Sequence, residues 1–249
     1  MKTKQVGLIK TIADFLFPRT CCICGYVNPK GRFDFLCPNC SKNIAYVLGG
    51  KCNVCGEILG PNNMPNINGC PMCAELDIAY TKALCPVVFD GAIKKLIHEL
   101  KYSQAQYVAK DLIKIALLHN ETSEFLKEAI VVVPVPIGKI RKMTRGYNQT
   151  EVLARTIQKI APELNTKTVN LLKRIKNTST QTRLDRNERI KNMHNAFAIN
   201  TSVALPTRHS KIVILDDVIT TTATINECAK VLKKAGFKNI FVFSIAKRM

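Results

Sequence analysis

The stretch that decides the fold is KIVILDDVITTTAT, which runs from Lys211 to Thr224. Its aliphatic run, Ile212 to Leu215, is typical of a strand that is buried on both faces of a parallel sheet. We expect the strand to end there, so that Asp216 and Asp217 follow where the chain leaves the sheet. In an open α/β sheet, ligands bind just beyond the carboxyl ends of the strands. The acidic pair therefore marks a candidate site.

A run of threonines stands between the acidic pair and a helical pattern that covers Ile225 to Ala235. A loop that enters a helix at this edge can direct backbone N–H groups and hydroxyls at a phosphate, and the helix dipole assists. Two carboxylates beside such a cradle suit sugar hydroxyls or a metal ion. The pattern predicts a sugar-phosphate site, with Asp216 and Asp217 as its candidate catalytic residues. The predicted phosphate-binding residues are Thr220, Thr221, Thr222 and Thr224.

Three other kinds of structure share features of this stretch. A strand that ends in acids also occurs in P-loop ATPases, but the chain contains no G-x-x-x-x-G-K-[ST] motif. Receiver domains place paired acids near the start of a domain, whereas here little more than one helix and one strand follow. A plain helix start, with threonine caps and acids that match the dipole, produces a similar pattern and stays open.

Eight of the eleven cysteines form an internal repeat of CxxC pairs. Tetrahedral Zn²⁺ takes four such thiolates, and closed Cys₄ sites are structural. Disulfides would need an oxidising compartment, which nothing in the sequence indicates. The spacing fits two consecutive groups of four and also a crossed arrangement. The predicted zinc ligands are Cys21, Cys24, Cys37, Cys40, Cys52, Cys55, Cys70 and Cys73.

The net charge of +19 is concentrated in one part of the chain, since residues 138–191 carry 14 basic and 4 acidic side chains. A field of that sign attracts polyphosphates or a nucleic-acid backbone, although a lysine-rich chain can also simply be soluble. Aromatic residues make up 6% of the chain and Trp is absent, so platforms for base stacking should be sparse.

The remaining pattern alternates strands and helices, which predicts a largely parallel sheet with right-handed crossovers. We expect a strand over residues 84–89, a helix over Gly91–Tyr102 and a strand over residues 129–135. A basic loop is expected at residues 137–149. Residues 173–192 are polar and basic, which is typical of a solvated loop.

The sequence predicts a cytoplasmic protein with two domains. No apolar run is long enough to cross a bilayer, and residues 1–17 lack the cleavage site of a signal peptide. Their apolar spacing instead favours a short helix. We expect an N-terminal helix and double zinc ribbon at residues 1–80, followed by an α/β domain at residues 81–249.

Several motifs together resemble one known family. The IVILDDVITTTAT stretch is similar to the phosphoribosyl-pyrophosphate (PRPP) motif of type I phosphoribosyltransferases. Four CxxC knuckles, VPVP at residues 133–136, RGYNQ at residues 145–149 and QTRLDRNERIKNMHNAF at residues 181–197 extend the likeness. With these motifs the chain resembles the ComF family of competence and DNA-utilisation proteins, and also GntX-type proteins. The resemblance covers Phe17 to the C-terminus.

The resemblance implies a phosphoribosyltransferase-like parallel sheet that binds PRPP with Mg²⁺. Asp216 and Asp217 would hold the ribose hydroxyls, and the threonines would cradle the 5′-phosphate. Residues 173–192 would form a lid or contact a polyanion. Turnover would displace pyrophosphate in favour of an acceptor that the sequence does not identify. The further substrate-binding residues implied by the resemblance are Lys101, Lys139, Arg141 and Arg145.

The chain departs from the family pattern at Thr222, where glycine is usual. A positive φ at that position would strain a β-branched residue by about 1–2 kcal/mol, whereas the added hydroxyl would offer a donor. The resemblance further implies single-stranded DNA as a partner in natural competence, with other DNA-uptake proteins as candidates. A nucleic-acid-binding adaptor on a non-catalytic scaffold is the alternative, so enzymatic activity stays open.

Overall fold

Strands and helices alternate through most of the computed structural model, which describes residues 18–27, 29–59, 69–127, 129, 131–176 and 193–248. The predicted N-terminal helix and most of the predicted lid lie outside these residues. The strands are β1 (Lys82–Leu84), β2 (Val87–Val88), β3 (Val131–Pro134), β4 (Lys167–Thr168), β5 (Leu172–Arg174), β6 (Phe197–Ile199), β7 (Ile212–Ile219) and β8 (Ile240–Lys247). The helices are α1 (Pro38–Ser41), α2 (Pro71–Leu76), α3 (Gly91–Tyr102), α4 (Ala109–Leu117), α5 (Asn120–Lys127), α6 (Lys139–Arg145), α7 (Gln149–Ile160) and α8 (Ala223–Lys234), with 3₁₀ turns at Gln106–Val108 and Pro162–Leu164.

Six strands form one sheet in the order β1–β8–β7–β3–β4, and β2 also pairs with β8. Every described pair in this sheet is parallel, which confirms the predicted fold class. The expected first strand is broken into β1 and β2, although both keep the same register on β8. Pro86 lies in the break because proline has no N–H to donate to a strand ladder. Strands β5 and β6 form a separate antiparallel pair.

The sheet is covered on both faces, which explains the unbroken apolar run at the start of β7. Val213 and Leu215 pack into one cluster with residues of α3, α4 and α7. Ile212 and Ile214 pack into the other cluster with α8 and the β5–β6 pair. All four side chains are fully buried. The alternation along β7 therefore fixes which face each following residue takes, including the acidic pair.

Buried polar contacts join the cysteine groups to the α/β layers. The Asp111 carboxylate on α4 accepts hydrogen bonds from the backbone N–H groups of Asp34 and Phe35 at 2.9 and 2.6 Å. On α8, the Asn226 amide donates to the carbonyl oxygen of Leu76 at 2.9 Å. These bonds hold the N-terminal segments against the helices. The domain division at residue 80 stays a prediction.

Candidate functional site

The acidic pair lies at a step in the edge of the sheet. Strand β7 continues through Asp216 and Asp217 to Ile219 while it stays paired with β8, so the prediction that it ends at Leu215 is wrong. On the other side its ladder with β3 ends where Pro134 pairs with Leu215. The acids are thus held firmly by β8 and stand beyond the end of β3. This is the carboxyl edge at which parallel sheets bind ligands.

The two carboxylates have different surroundings. Asp217 is 3% exposed, and its Oδ2 lies 2.7 Å from Nζ of Lys101 at the end of α3. Burial of the Asp216 carboxyl, followed by the negative charge of Asp217, raises the pKa of Asp216 to about 7, while the Lys101 charge opposes the rise. The charge of one lysine therefore acts on both carboxylates. Such an edge favours a ligand that brings hydroxyl donors or a cation.

The threonine turn follows β7 and leads into α8. Thr222 has φ −70° and ψ −3°, so the backbone does not adopt the positive φ that would strain a β-branched residue. Its side chain is fully buried, and among the described residues its Oγ1 has no hydrogen-bond partner. An unsatisfied buried hydroxyl costs about 1–3 kcal/mol. Thr220 is exposed, and Thr221 and Thr224 are partly exposed.

Lys247 supports this turn, and the sequence analysis missed it. Its Nζ donates to the carbonyl oxygen of Thr220 at 3.2 Å and lies 2.7 Å from a carboxylate oxygen of Glu57. The lysine is fully buried, so it ties the threonine turn to the second cysteine group. In the sequence it belongs to a basic terminus that looks solvated. Only its register opposite Ile219 brings it to the turn.

The predicted basic loop is wrong over most of its length, because residues 139–145 form helix α6. The helix begins after Gly138 and is closed by Gly146, whose φ of 80° suits a helix C-terminus. Lys and Arg are good helix formers, so a run of cations is compatible with a helix that is otherwise solvent-exposed. Lys139 is exposed at the first position, and Arg141 is partly exposed.

Arg145, at the end of α6, contacts α3 beside the acidic pair. Its guanidinium lies 5.3 Å from the centre of the Tyr102 ring and donates to Oε1 of Gln149. Tyr102 directly follows Lys101, which pairs with Asp217. The structure therefore brings Lys101 to the acidic pair and places Arg145 against Tyr102, the residue that follows Lys101. Among the ion pairs of the described residues, none connects Lys139 to that pair.

Arg174 is a second residue that the sequence analysis missed. It was assigned to a solvated loop, but it ends strand β5 and its guanidinium lies 5.4 Å from the centre of the Phe197 ring. Burial and then the charge of Arg141 lower the pKa of Arg174, while Asp216 acts in the opposite direction. Arg174 thus lies within electrostatic reach of both Arg141 and Asp216. The pairing of β5 with β6 across the intervening segment could not be recognised from local sequence.

The cysteine sulfurs form two consecutive groups, which decides between the two arrangements that the spacing allowed. Within each group all four sulfurs lie within 4.8 Å of one another. Distances of 3.5–3.8 Å separate several sulfur pairs, close to the roughly 3.8 Å expected for tetrahedral Zn–S bonds of about 2.3 Å. The donor set and its spacing fit structural zinc. The groups are Cys21, Cys24, Cys37, Cys40 and Cys52, Cys55, Cys70, Cys73.

Comparison with known proteins gives long, continuous matches. No family model matches the chain. Competence protein F of Haemophilus influenzae is 28% identical over 86% of this chain and 98% of its own length. DNA utilization protein YhgH of Escherichia coli strain K12 is 25% identical over 93% of this chain and 98% of its own length. These relatives, at moderate identity over most of the chain, support an assignment to the ComF family. Competence protein ComFC of Streptococcus pneumoniae, 24% identical over 83% of the chain and 90% of its own length, is a further relative.

The matches to competence protein F and to YhgH span most of the chain in each case. The chain itself combines a parallel sheet with two Cys₄ groups. Among the described residues, no helix has the length and apolar character needed to span a membrane.

Proposed function

We propose that this ComF-family chain binds PRPP, as its Mg²⁺ complex, and acts in the handling of internalised single-stranded DNA during natural competence. The observation that carries the proposal is the meeting of Asp216, Asp217 and the start of α8 at one free edge of the sheet. The names of the relatives, which refer to competence and DNA utilisation, support the biological part. They also make DNA-uptake proteins candidate partners.

Each part of PRPP has a matching group at the proposed site. The carboxylates of Asp216 and Asp217 accept hydrogen bonds from the ribose hydroxyls. The threonine turn lies at the positive end of the α8 dipole and receives the 5′-phosphate, to which Oγ1 of Thr222 donates. The phosphate thereby supplies the acceptor that this buried hydroxyl lacks among the described residues. The pyrophosphate faces the cations of the basic segments: Lys139, Arg141, Arg145 and Arg174.

Without the ligand, Lys101 takes the position beside the acidic pair that the cation of the ligand would occupy. In the free protein its ammonium neutralises Asp217 at 2.7 Å. A Mg²⁺-bound pyrophosphate brings both a cation for the carboxylates and anionic oxygens for the lysine. Lys101 therefore moves its contact from Asp217 to the ligand, which frees a carboxylate oxygen for a ribose hydroxyl.

Turnover, in this proposal, exchanges one bond at the anomeric carbon. The bond to the pyrophosphate oxygen breaks, and a bond to a nucleophilic atom of the acceptor forms. Bound with the ligand, Mg²⁺ would supply positive charge to the leaving group. Arg141 and Arg174 stabilise the negative charge of the leaving group from the protein side.

A non-catalytic adaptor is the second candidate function. The feature that favours it is the excess of positive charge in residues 138–191, which contain 14 basic and 4 acidic side chains. Such an excess of charge attracts a phosphodiester backbone whether or not the acidic pair is intact. The adaptor would bind single-stranded DNA with a steep salt dependence that Asp216→Asn leaves unchanged.

Calorimetric titration of the zinc-loaded chain with PRPP and Mg²⁺ tests the proposal. At about pH 8, above the raised pKa of Asp216, we expect binding by the parent and at least a roughly tenfold loss in Asp216→Asn and in Asp217→Asn, because each variant then removes a charged acceptor. Asp77→Asn, at an exposed acid after α2, is the matched control and should bind as the parent does. A parent protein that fails to bind PRPP refutes the site. Pyrophosphate release on adding nucleobases or oligonucleotides separates the enzyme from the adaptor.

A further inference from the structure

Three planar side chains form an exposed cluster at the end of α3. Tyr102 is 68% exposed, although it is one of the few large aromatic residues in the chain. The His98 ring, one helical turn earlier, lies 4.7 Å from it between ring centres, with the ring planes tilted by 43°. The Arg145 guanidinium lies over the Tyr102 ring at 5.3 Å. The cluster gathers stacking groups that the overall composition led us to expect to be sparse.

The position of the cluster is fixed by bonds between α3 and the segment after α6. Tyr147 donates its hydroxyl to the carbonyl oxygen of Leu100. Arg145 donates to Gln149, so its guanidinium is held in place from one edge. Gly146, at φ 80°, makes the turn between these two contacts. A planar surface that is already ordered loses little entropy when a flat ligand stacks on it.

The surroundings of the cluster are cationic. Lys94 and Lys95 are exposed on the same helix, and α6 supplies further basic residues without an acid. The acid of this surface of α3 is Glu99, which lies 3.3 Å from the Lys95 ammonium. A hydrogen bond with Ser103 is the largest cause of the lowered pKa of Glu99. The Glu99 carboxylate is therefore already engaged by its neighbours along α3. Phosphate groups that approach the cluster therefore meet a surplus of cations.

We propose that His98, Tyr102 and Arg145 form a stacking platform for an unpaired base of single-stranded nucleic acid. The phosphates on either side of that base lie along Lys94 and α6. Base stacking on an aromatic ring is tolerant of sequence and is combined with a basic groove in proteins that bind single strands. Arg145 can use its face for the ring and its outer N–H groups for a phosphate. The platform rests on the proposed role in handling DNA, and it shares Arg145 with the proposed pyrophosphate site, whereas His98 and Tyr102 belong to the platform alone.

A purely structural role for the cluster gives a different expectation. A His–Tyr pair four residues apart stabilises a helix end slightly through side-chain contact alone. In that case Tyr102→Ala would lower the melting temperature slightly and leave nucleic-acid affinity unchanged. The platform instead predicts a loss of affinity that depends on the presence of bases.

Fluorescence anisotropy with a labelled oligothymidylate and with a matched abasic strand tests the platform on the full, zinc-loaded chain. We expect the parent to bind the base-containing strand about tenfold more tightly than the abasic strand. Tyr102→Ala should lose that preference, and Tyr102→Phe should retain it, because the ring and not the hydroxyl stacks. Circular dichroism and zinc content confirm that each variant is folded.

The control is Tyr26→Ala, since Tyr26 is also an exposed tyrosine, 60% exposed, but lies in the first cysteine group. It should keep the preference for the base-containing strand. Equal losses in Tyr26→Ala and Tyr102→Ala, an unchanged affinity of Tyr102→Ala, or no binding of single strands by the parent would each overturn the platform. PRPP titrations of the same variants separate the two proposals, because the platform can fail while PRPP binding persists, and the reverse.

Discussion

Replacing Asp216 by asparagine should stabilise the fold and weaken the proposed site. In the folded protein, burial and the charge of Asp217 raise the pKa of Asp216 from 3.8 to about 7. Between these two values the folded state retains a proton that the unfolded chain has released. Stability therefore falls as the pH rises through this interval. Asparagine has nearly the same shape and stays neutral, so the variant does not suffer this fall.

The size of the effect follows from the pKa difference. About three pH units at about 1.4 kcal/mol each set a ceiling of about 4 kcal/mol above pH 7. The residue is partly exposed, and solvent screens part of this interaction. We expect Asp216→Asn to raise the free energy of unfolding by about 1–2 kcal/mol at about pH 8, with a smaller gain at about pH 5.

Urea denaturation of the zinc-loaded chain at these two pH values measures the effect. Asp77→Asn, at an exposed acid, serves as the control for the loss of one negative charge and should change stability little at either pH. The decisive quantity is the difference between the gains of Asp216→Asn at high and low pH. A variant that is destabilised at about pH 8, or a gain that is the same at both pH values, would refute the electrostatic account of the acidic pair.

Three further outcomes follow from the same site and from the cysteine groups. Lys101→Met should raise the pKa of Asp216 further, because the lysine charge opposes the rise. Carboxyl carbon shifts in an NMR titration measure this pKa, and an unchanged value would contradict the prediction. Thr222→Val should raise the free energy of unfolding by about 1 kcal/mol and weaken PRPP binding in calorimetry, because it removes a buried hydroxyl without a partner. Thr222→Ser, which keeps the hydroxyl, is its control. Cys55→Ser should lower the zinc content from two ions per chain to one and lower the melting temperature, with elemental analysis as the measurement; two retained ions would contradict the grouping.

The sequence was sufficient for the parts of the fold that depend on local pattern. The helix expected over Gly91–Tyr102 occurs with those bounds, because apolar residues at helical spacing meet a covered sheet face. The aliphatic run in β7 is buried on both faces as expected. Helix α8 and its closing Gly236, at φ 93°, also match to within two residues. In each case the signal lies within the segment itself.

Most of the errors and omissions come from contacts between segments that are far apart in the sequence, which a local pattern does not reveal. β7 continues past Leu215 because β8 supplies partners as far as Lys247, more than twenty residues later. Lys247 and Arg174 reach the site only through the strands that carry them, so their neighbours in sequence give no indication of their place. The grouping of the cysteines was undecided because spacing alone permits more than one set of four. The prediction of a loop at residues 137–149 is wrong over residues 139–145 because the composition of that segment allows α6.

The open alternative for the acidic edge, a plain helix start stabilised by caps and charge, can be compared with the geometry. That interpretation requires threonine to cap backbone N–H groups and acids to stand in the first turn of the helix. Thr222 makes no side-chain capping bond, and the first turn of α8 contains no acid. Asp216 instead stands in β7 with a pKa raised by burial, and the Thr222 hydroxyl is buried without a partner among the described residues. Both features destabilise the free protein, and a bound sugar phosphate would relieve both, which is the pattern expected where a fold gives up stability for binding.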